Sequence, residues 1–358
     1  MSGADIERWV RPAIRALAAY RVHDASGYVK LDAMENPYSL PEALQDEWLE
    51  VLRGVQLNRY PDPEASILKA RLREWLVVPD GSELILGNGS DELIQMVALA
   101  LAEPGRCLLA PEPGFAMYPL IARVAGLEYH GVPLREDDFA LDSEAMLAAI
   151  AEHRPAVVFL ACPNNPTGNL LERKAVLRIL DAAPGLVVLD EAYHSFAGET
   201  FMGDLPDHPR LLVMRTLSKV GLAGLRIGVL AGAPEWLAEL NKLRLPYNIN
   251  VLSQASAGFI LQHAAVLDEQ AARIRDDREW LYGQLAALPG VRVWPSRANF
   301  LLLRVADAGA VDAALKAERI LIKNLHGVHP SLDNCLRVTV STGEENRLFL
   351  NALQRAMV

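Results

Sequence analysis

Cysteine is scarce in this chain: only Cys107, Cys162 and Cys335 occur among 358 residues. Their number is odd, they lie far apart, and none falls in a C-x-x-C or Cys/His spacing. A disulfide framework and a structural zinc site are both excluded on that ground. Free thiols suit a reducing compartment, and a cytoplasmic protein is expected. The 8 histidines show no metal-ligand spacing; His326 and His329, three apart, read as loop residues near the rim of a site. Basic residues are in the minority, 35 Lys and Arg against 45 Asp and Glu, a formal net charge of −10. A nucleic-acid binder would show a basic face or stripe, so no nucleic-acid partner is expected. Anionic small molecules stay compatible, because a site's local charge can oppose the total. No apolar run reaches membrane-spanning length, and the first residues lack the basic and apolar regions of a signal peptide, so no membrane contact is expected. No G-x-G-x-x-G follows an early strand, which argues against a nicotinamide-binding dehydrogenase.

What is present is the ordinary composition of a folded chain, 51% hydrophobic and 22% charged, at a length that suggests two domains. From about residue 80 to 232, short apolar runs alternate with helical patterns. Strands are predicted at 83–86, 107–110, 156–161, 186–189, 211–216 and 227–231, with helices such as 91–101 and 171–182 between them. Several of the runs are continuously apolar, as strands covered on both faces must be. The alternation predicts an α/β fold with a mainly parallel, doubly covered sheet. After Pro246 the texture changes. One long helical stretch, 252 to about 288, is followed by strands at 291–294, 299–305, 320–323 and 336–340, with helices at 311–317 and 344–356. This reads as a smaller α+β domain. The expected organisation is an arm over 1–28, a large domain over 29–246 and a small domain over 247–358, with one helix in the turn-rich first 60 residues.

The chemistry gathers where predicted strands end. Lys219, in Arg215-Thr-Leu-Ser-Lys-Val-Gly-Leu-Ala-Gly-Leu-Arg226, follows an apolar strand and sits between Ser218 and apolar residues. A desolvated lysine has a lowered pKa and becomes a nucleophilic amine capable of forming a Schiff base. Gly87-Asn-Gly-Ser-Asp-Glu92 opens a helix; it is either a start capped by Ser90 or Asp91 or an anion site at a helix N-terminus. Cys162-Pro-Asn-Asn-Pro-Thr-Gly168 places Asn165 at a strand's carboxyl end, where ligands bind in open α/β sheets. Asp190, ending Leu186-Val-Val-Leu-Asp190, needs a cationic partner if buried. That partner is a salt bridge, a helix cap or a protonated pyridine nitrogen, which Tyr193 could accompany. Arg226 is either a surface arginine or a bidentate phosphate ligand. Together a buried lysine, an aspartate for a ring nitrogen and a phosphate cradle meet the requirements of pyridoxal 5′-phosphate.

The order and spacing of Asn-Gly-Ser-Asp-Glu, Asn-Asn-Pro-Thr-Gly, Asp-Glu-Ala-Tyr and Ser-Lys…Gly-Leu-Arg resemble the fold-type-I, class-II aminotransferases over nearly the whole chain. Leu57-Asn-Arg-Tyr-Pro61, Pro246-Tyr-Asn-Ile-Asn250 and Asn334-Cys-Leu-Arg-Val-Thr-Val340 are similar to the histidinol-phosphate aminotransferases. The resemblance implies a pyridoxal-phosphate enzyme of histidine biosynthesis. It would move an amino group between L-glutamate and imidazole-acetol phosphate, giving 2-oxoglutarate and L-histidinol phosphate. Lys219 would hold the cofactor covalently and later carry the proton; Asp190 would pair with the pyridine nitrogen. Asn165 and Tyr193 would contact the ring's 3′-oxygen, and Phe115 would stack on the ring. Ser90, Asp91, Ser218 and Arg226 would hold the phosphate, joined by Tyr60 from the second subunit of an obligatory homodimer. Arg337 would bind the substrate's anionic group, with Tyr60 and Asn36 nearby. The chain departs from the family pattern in three places. The stretch from Lys219 to Arg226 is one residue shorter than the commoner spacing, Phe115 stands where many members have tyrosine, and Asp32-Ala-Met-Glu-Asn-Pro37 only partly matches the usual Asn-Glu-Asn-Pro. The same cofactor motifs also serve aromatic amino-acid aminotransferases and phospho-amino-acid decarboxylases. A ligand-sensing regulator that kept the fold would need a DNA-binding extension, for which the chain has neither length nor a basic patch.

Overall fold

The computed structural model describes residues 3–19 and 24–357; within the expected arm, residues 1, 2 and 20–23 lie outside the described residues, as does 358. Its strands are β1 (Val29–Lys30), β2 (Glu83–Asn88), β3 (Cys107–Glu112), β4 (Glu128–Pro133), β5 (Val157–Ala161), β6 (Leu186–Asp190), β7 (Leu211–Thr216) and β8 (Ile227–Gly232), then β9 (Arg292–Val293), β10 (Phe300–Arg304), β11 (Ile320–Leu321), β12 (Lys323–Asn324) and β13 (Cys335–Thr339).

Seven of them form one sheet in the order β2-β8-β7-β6-β5-β3-β4. Only β8 runs against its neighbours β2 and β7; the other pairings are parallel. Every residue of β5, β6 and β7 is buried, because side chains alternate between two helix-covered faces. Val157, Phe159 and Ala161 enter a core with the helices Ser90–Leu101 and Met117–Ala125. Val158 and Leu160 enter the opposite core, with Ser143–His153 and Arg173–Ala182. The predicted α/β architecture is therefore present, divided into a large sheet and a smaller antiparallel one. The smaller sheet has the order β12-β13-β10-β9, and β1 pairs in parallel with β11 beside it.

Four features differ from the sequence reading. The edge strand β4 was not anticipated, since its Glu-Tyr-His-Gly-Val-Pro run is polar and holds a glycine and a proline. The long C-terminal helix is two helices, Val251–Ile260 and Ala264–Ala286, joined by a 3-10 turn at Leu261–His263. The first 60 residues hold two short helices, Gly3–Trp9 and Pro12–Arg15, as well as Glu42–Arg53. Finally, the two cores interleave across the expected boundary at residue 247. Ile249, Ala257, Ile260 and Leu267 pack in the large sheet's core. Leu31 and Met34 pack with Phe300, Val338 and Phe349 in the small one.

Candidate active site

The parallel strands β3, β5, β6 and β7 deliver their carboxyl ends to one edge of the sheet, and the sequence-derived residues converge there. Asp190 ends β6 and is 5% exposed. Its Oδ2 accepts a 2.7 Å hydrogen bond from the Tyr118 hydroxyl and its Oδ1 a 3.1 Å bond from the Ala192 amide. Burial raises its pKa to about 6, and the Tyr118 and Ala192 bonds pull the other way. Neither bond brings a positive charge, so among the described residues a buried carboxylate faces the cavity without the cation its burial calls for.

Lys219 follows β7 on a turn with π-type hydrogen bonding, Ser218–Leu222, in which Gly221 takes φ 121°. Its Nζ donates to the Ala33 carbonyl at 3.1 Å and lies 5.9 Å from the centre of the Tyr193 ring. Burial lowers its pKa to about 8, and the neighbouring Arg337 guanidinium adds to the effect. The amine is therefore available as a nucleophile near neutral pH.

The shortened stretch after Lys219 still closes. A 3-10 turn, Ala223–Leu225, hands the chain to Arg226 at φ 53°, whose Nη1 donates to Ser218 Oγ at 3.4 Å and whose Nη2 lies 3.8 Å from Asp91 Oδ2. The opposite wall is the start of the helix Ser90–Leu101. Its N-cap is Gly89 at φ 88°, with no side-chain cap bond, so neither Ser90 nor Asp91 caps it and the amides of the first turn stay free. A Cβ on Gly89 would stand 2.5 Å from Arg226 Nη2, and one on Gly228 would stand 2.6 Å from the Ser90 amide nitrogen. Glycine is needed at both positions to let the guanidinium and the amide row share one small space.

Pyridoxal 5′-phosphate fits this arrangement. The free amides of the helix start, Ser218 and Arg226 form an anion cradle at one end. Asp190 supplies the uncompensated carboxylate for a pyridinium nitrogen, and Lys219 the amine. Asp91 keeps a buried Oδ1 without a hydrogen-bond partner, within a cradle that still has bonds to make.

Ser90, Asp91, Phe115, Asn165, Asp190, Tyr193, Ser218, Lys219 and Arg226 all line this one cavity. Asn165 Nδ2 donates to the Tyr193 hydroxyl at 3.2 Å, and Asn165 Oδ1 accepts from Arg337 Nη1 at 2.5 Å. Arg337 lines an adjoining cavity that shares Met34, Phe115 and Asn165 with the first and adds Glu112, Tyr129, Lys323 and His329. His329 thus stands in the wall of this second cavity.

Two expected ligands lie elsewhere. Asn36 is consumed by structure: its Nδ2 donates to the Val220 carbonyl and to Gln270 Oε1, at 3.0 and 2.9 Å, and its Oδ1 accepts from the Tyr38 amide. It holds the backbone next to Lys219 and lines neither cavity, so the structure does not bring it together with the other expected substrate residue Arg337. Tyr60 is 80% exposed and stacks on Tyr247 at 4.4 Å, away from its own chain's cavities. Tyr118, Thr216, Gly89 and Lys323 were missed. Tyr118 lies three residues after Phe115, and only the fold brings it to Asp190, 72 positions along the chain.

Comparison with known proteins agrees with this geometry. The family model described as aminotransferase class I and II matches residues 26–353. A protein of Nitrosococcus oceani named histidinol-phosphate aminotransferase 2 is 57% identical over 351 residues, covering 98% of this chain and 97% of its own. A Chromobacterium violaceum protein named histidinol-phosphate aminotransferase is 54% identical over 353 residues, covering 99% of each. Among solved structures, the histidinol-phosphate aminotransferase of Sinorhizobium meliloti in complex with pyridoxal 5′-phosphate superposes with a TM-score of 0.87 at 25% identity, over 98% of this chain and 97% of that one.

Proposed function

Because the chain belongs to the aminotransferase class I and II family, we infer from its cavity and its relatives that it uses pyridoxal 5′-phosphate to move an amino group between L-glutamate and imidazole-acetol phosphate. The products are 2-oxoglutarate and L-histidinol phosphate, a step of histidine biosynthesis. The observation that carries this reading is the placement of Lys219 and of an uncompensated Asp190 carboxylate in one cavity whose far end is an anion cradle. That combination sits in a chain more than half identical to histidinol-phosphate aminotransferases.

When bound, the cofactor supplies a carbonyl that joins covalently to amines and a pyridinium ring that withdraws electrons from the substrate Cα. The protein's own residues do the rest. Arg226, Ser218 and the helix amides would hold the phosphate, and Phe115, in the same cavity wall, would stack on the ring. Asp190, ionised above about pH 6, keeps the proton on the ring nitrogen. Asn165 and Tyr193 hold the ring oxygen through their shared hydrogen bond. Lys219, with its amine held near pKa 8, would hold the cofactor and would carry the proton to and from the substrate Cα as general base and acid. Arg337 and Lys323 supply positive charge to the second cavity, where a substrate phosphate or carboxylate is neutralised.

The exposed Tyr60–Tyr247 stack supports a homodimer in which Tyr60 reaches the neighbouring copy's phosphate cradle. No helix among the described residues is long and apolar enough to cross a membrane. The test is the absorbance of the purified protein on adding histidinol phosphate alone. The reading expects loss of the bound cofactor's visible band without any acceptor present. An unchanged spectrum, with turnover of phenylalanine or release of carbon dioxide from phosphothreonine, would select one of the alternatives.

A further inference from the structure

The second cavity holds a carboxylate that the mechanism does not use. Glu112 ends β3 and is only partly buried; its side chain lies across Gly131 of the edge strand β4, where a Cβ would stand 2.2 Å from Glu112 Cδ. Tyr129, two residues before Gly131 and so on the same face of β4, lies beside Glu112, and burial together with this carboxylate raises the phenol's pKa. Both residues line the cavity, opposite in chemistry to Lys323, His329 and Arg337 on its other parts. One wall therefore accepts hydrogen bonds and carries negative charge, and another donates them and carries positive charge. A carboxylate has roughly four lone-pair sites, so Glu112 brings acceptor capacity to the cavity wall.

Resting on the aminotransferase reading above, we propose that Glu112, laid across Gly131 in the cavity wall beside Tyr129, accepts the ring N–H of the substrate's imidazole and is the residue that selects imidazole over a phenyl ring. A substrate with an anion at one end and an N–H ring at the other complements the two walls. Glutamate has no ring donor, and its carboxylates belong on the cationic wall, so Glu112 takes no part in that half of the reaction. A phenyl ring of the same size would leave the carboxylate desolvated and unpaired, and sites built to hydrogen-bond an N–H reject the analogue lacking it strongly.

The test keeps the phosphate constant and varies the ring. Single-turnover rates of the cofactor-loaded protein are measured with histidinol phosphate, with phenylalaninol phosphate and with glutamate. The native protein should prefer histidinol phosphate over its phenyl counterpart by about 100-fold. In Glu112→Gln and Glu112→Ala that preference should fall below about tenfold, while the glutamate half-reaction stays within about twofold of native. A preference that survives both substitutions overturns the proposal. Equal losses with all three amines also overturn it, because they describe a damaged fold. A native protein that shows no imidazole preference overturns it without any variant. Failure of the native protein to react with histidinol phosphate at all would instead remove the parent reading, so the two failures are distinguishable.

Discussion

Removing the Tyr118 hydroxyl should move the acid limb of cofactor binding. In Tyr118→Phe the ring keeps its packing, stacked at 4.9 Å on Phe159 and edge-on at 5.5 Å to Phe115. Only the 2.7 Å bond to Asp190 Oδ2 is lost. A hydrogen bond to a charged group contributes about 1.5–3 kcal/mol, and one pKa unit corresponds to about 1.4 kcal/mol, so the carboxyl pKa should rise by about 1–2 units. From a starting value of about 6, Asp190 becomes half or more protonated at neutral pH. The protonated carboxyl no longer favours a proton on the ring nitrogen, and both cofactor affinity and turnover fall at neutral pH and recover in base. The assay is a titration of the cofactor-free protein with pyridoxal 5′-phosphate across pH 5.5–8.5, native against variant. An acid limb shifted upward by about 1–2 units is expected. Superimposable limbs would show that the hydroxyl contributes nothing to Asp190 and would refute the reasoning.

Lys219→Met should stabilise the cofactor-free protein near neutral pH. The folded-state pKa of Lys219 is about 8 against an ordinary 10.5, so folding disfavours the charged amine. That penalty is full below pH 8 and fades as pH rises toward 10.5. Discounted for partial exposure, it amounts to about 2 kcal/mol, and thermal melts of the two proteins should converge at high pH while activity is abolished throughout. Gly89→Ala places a methyl against Arg226 at φ 88° and should cost about 1–3 kcal/mol, read as a loss of tenfold or more in cofactor affinity by equilibrium dialysis. Mixing inactive Tyr60→Ala with inactive Lys219→Ala should restore about a quarter of native activity if subunits exchange at random and sites are shared; no recovery under exchange would remove Tyr60 from the partner's cradle.

The cofactor site was legible because its residues sit where strands end, and strand ends are visible in sequence as apolar runs closing on glycine, proline or a charge. Lys219, Asp190, Asn165 and Arg226 each follow or precede such a run. The substrate side was much less legible. Lys323 reaches the second cavity from a two-residue strand, and Tyr118, buried on a helix behind the first cavity, is brought to Asp190 only by the tertiary fold. The strand β4, which carries Tyr129, escaped notice because an edge strand need not be apolar on both faces. Asn36 is placed differently. Its motif resembles a substrate contact, but the side chain's three hydrogen bonds are all spent on holding the chain together. The break at Leu261–His263 has no local cause in the sequence, since neither proline nor glycine occurs there.

The strap from Leu31 to Met34 has one further consequence. Four successive main-chain carbonyls accept four separate donors: Leu31 from the Thr339 amide, Asp32 from Arg337, Ala33 from Lys219 and Met34 from Asn299. Two of those donors belong to the small core and two are the working cations of the site. The strap therefore behaves as a ruler whose marks are one residue apart. Deleting a single residue within it would shift every mark, pairing Lys219 and Arg337 with the wrong carbonyls while leaving both cavities lined by the same side chains. At the half-buried Asp32 and Ala33, between the core residues Leu31 and Met34, length is constrained more tightly than identity, so substitutions at these two positions should be tolerated where insertions and deletions are not.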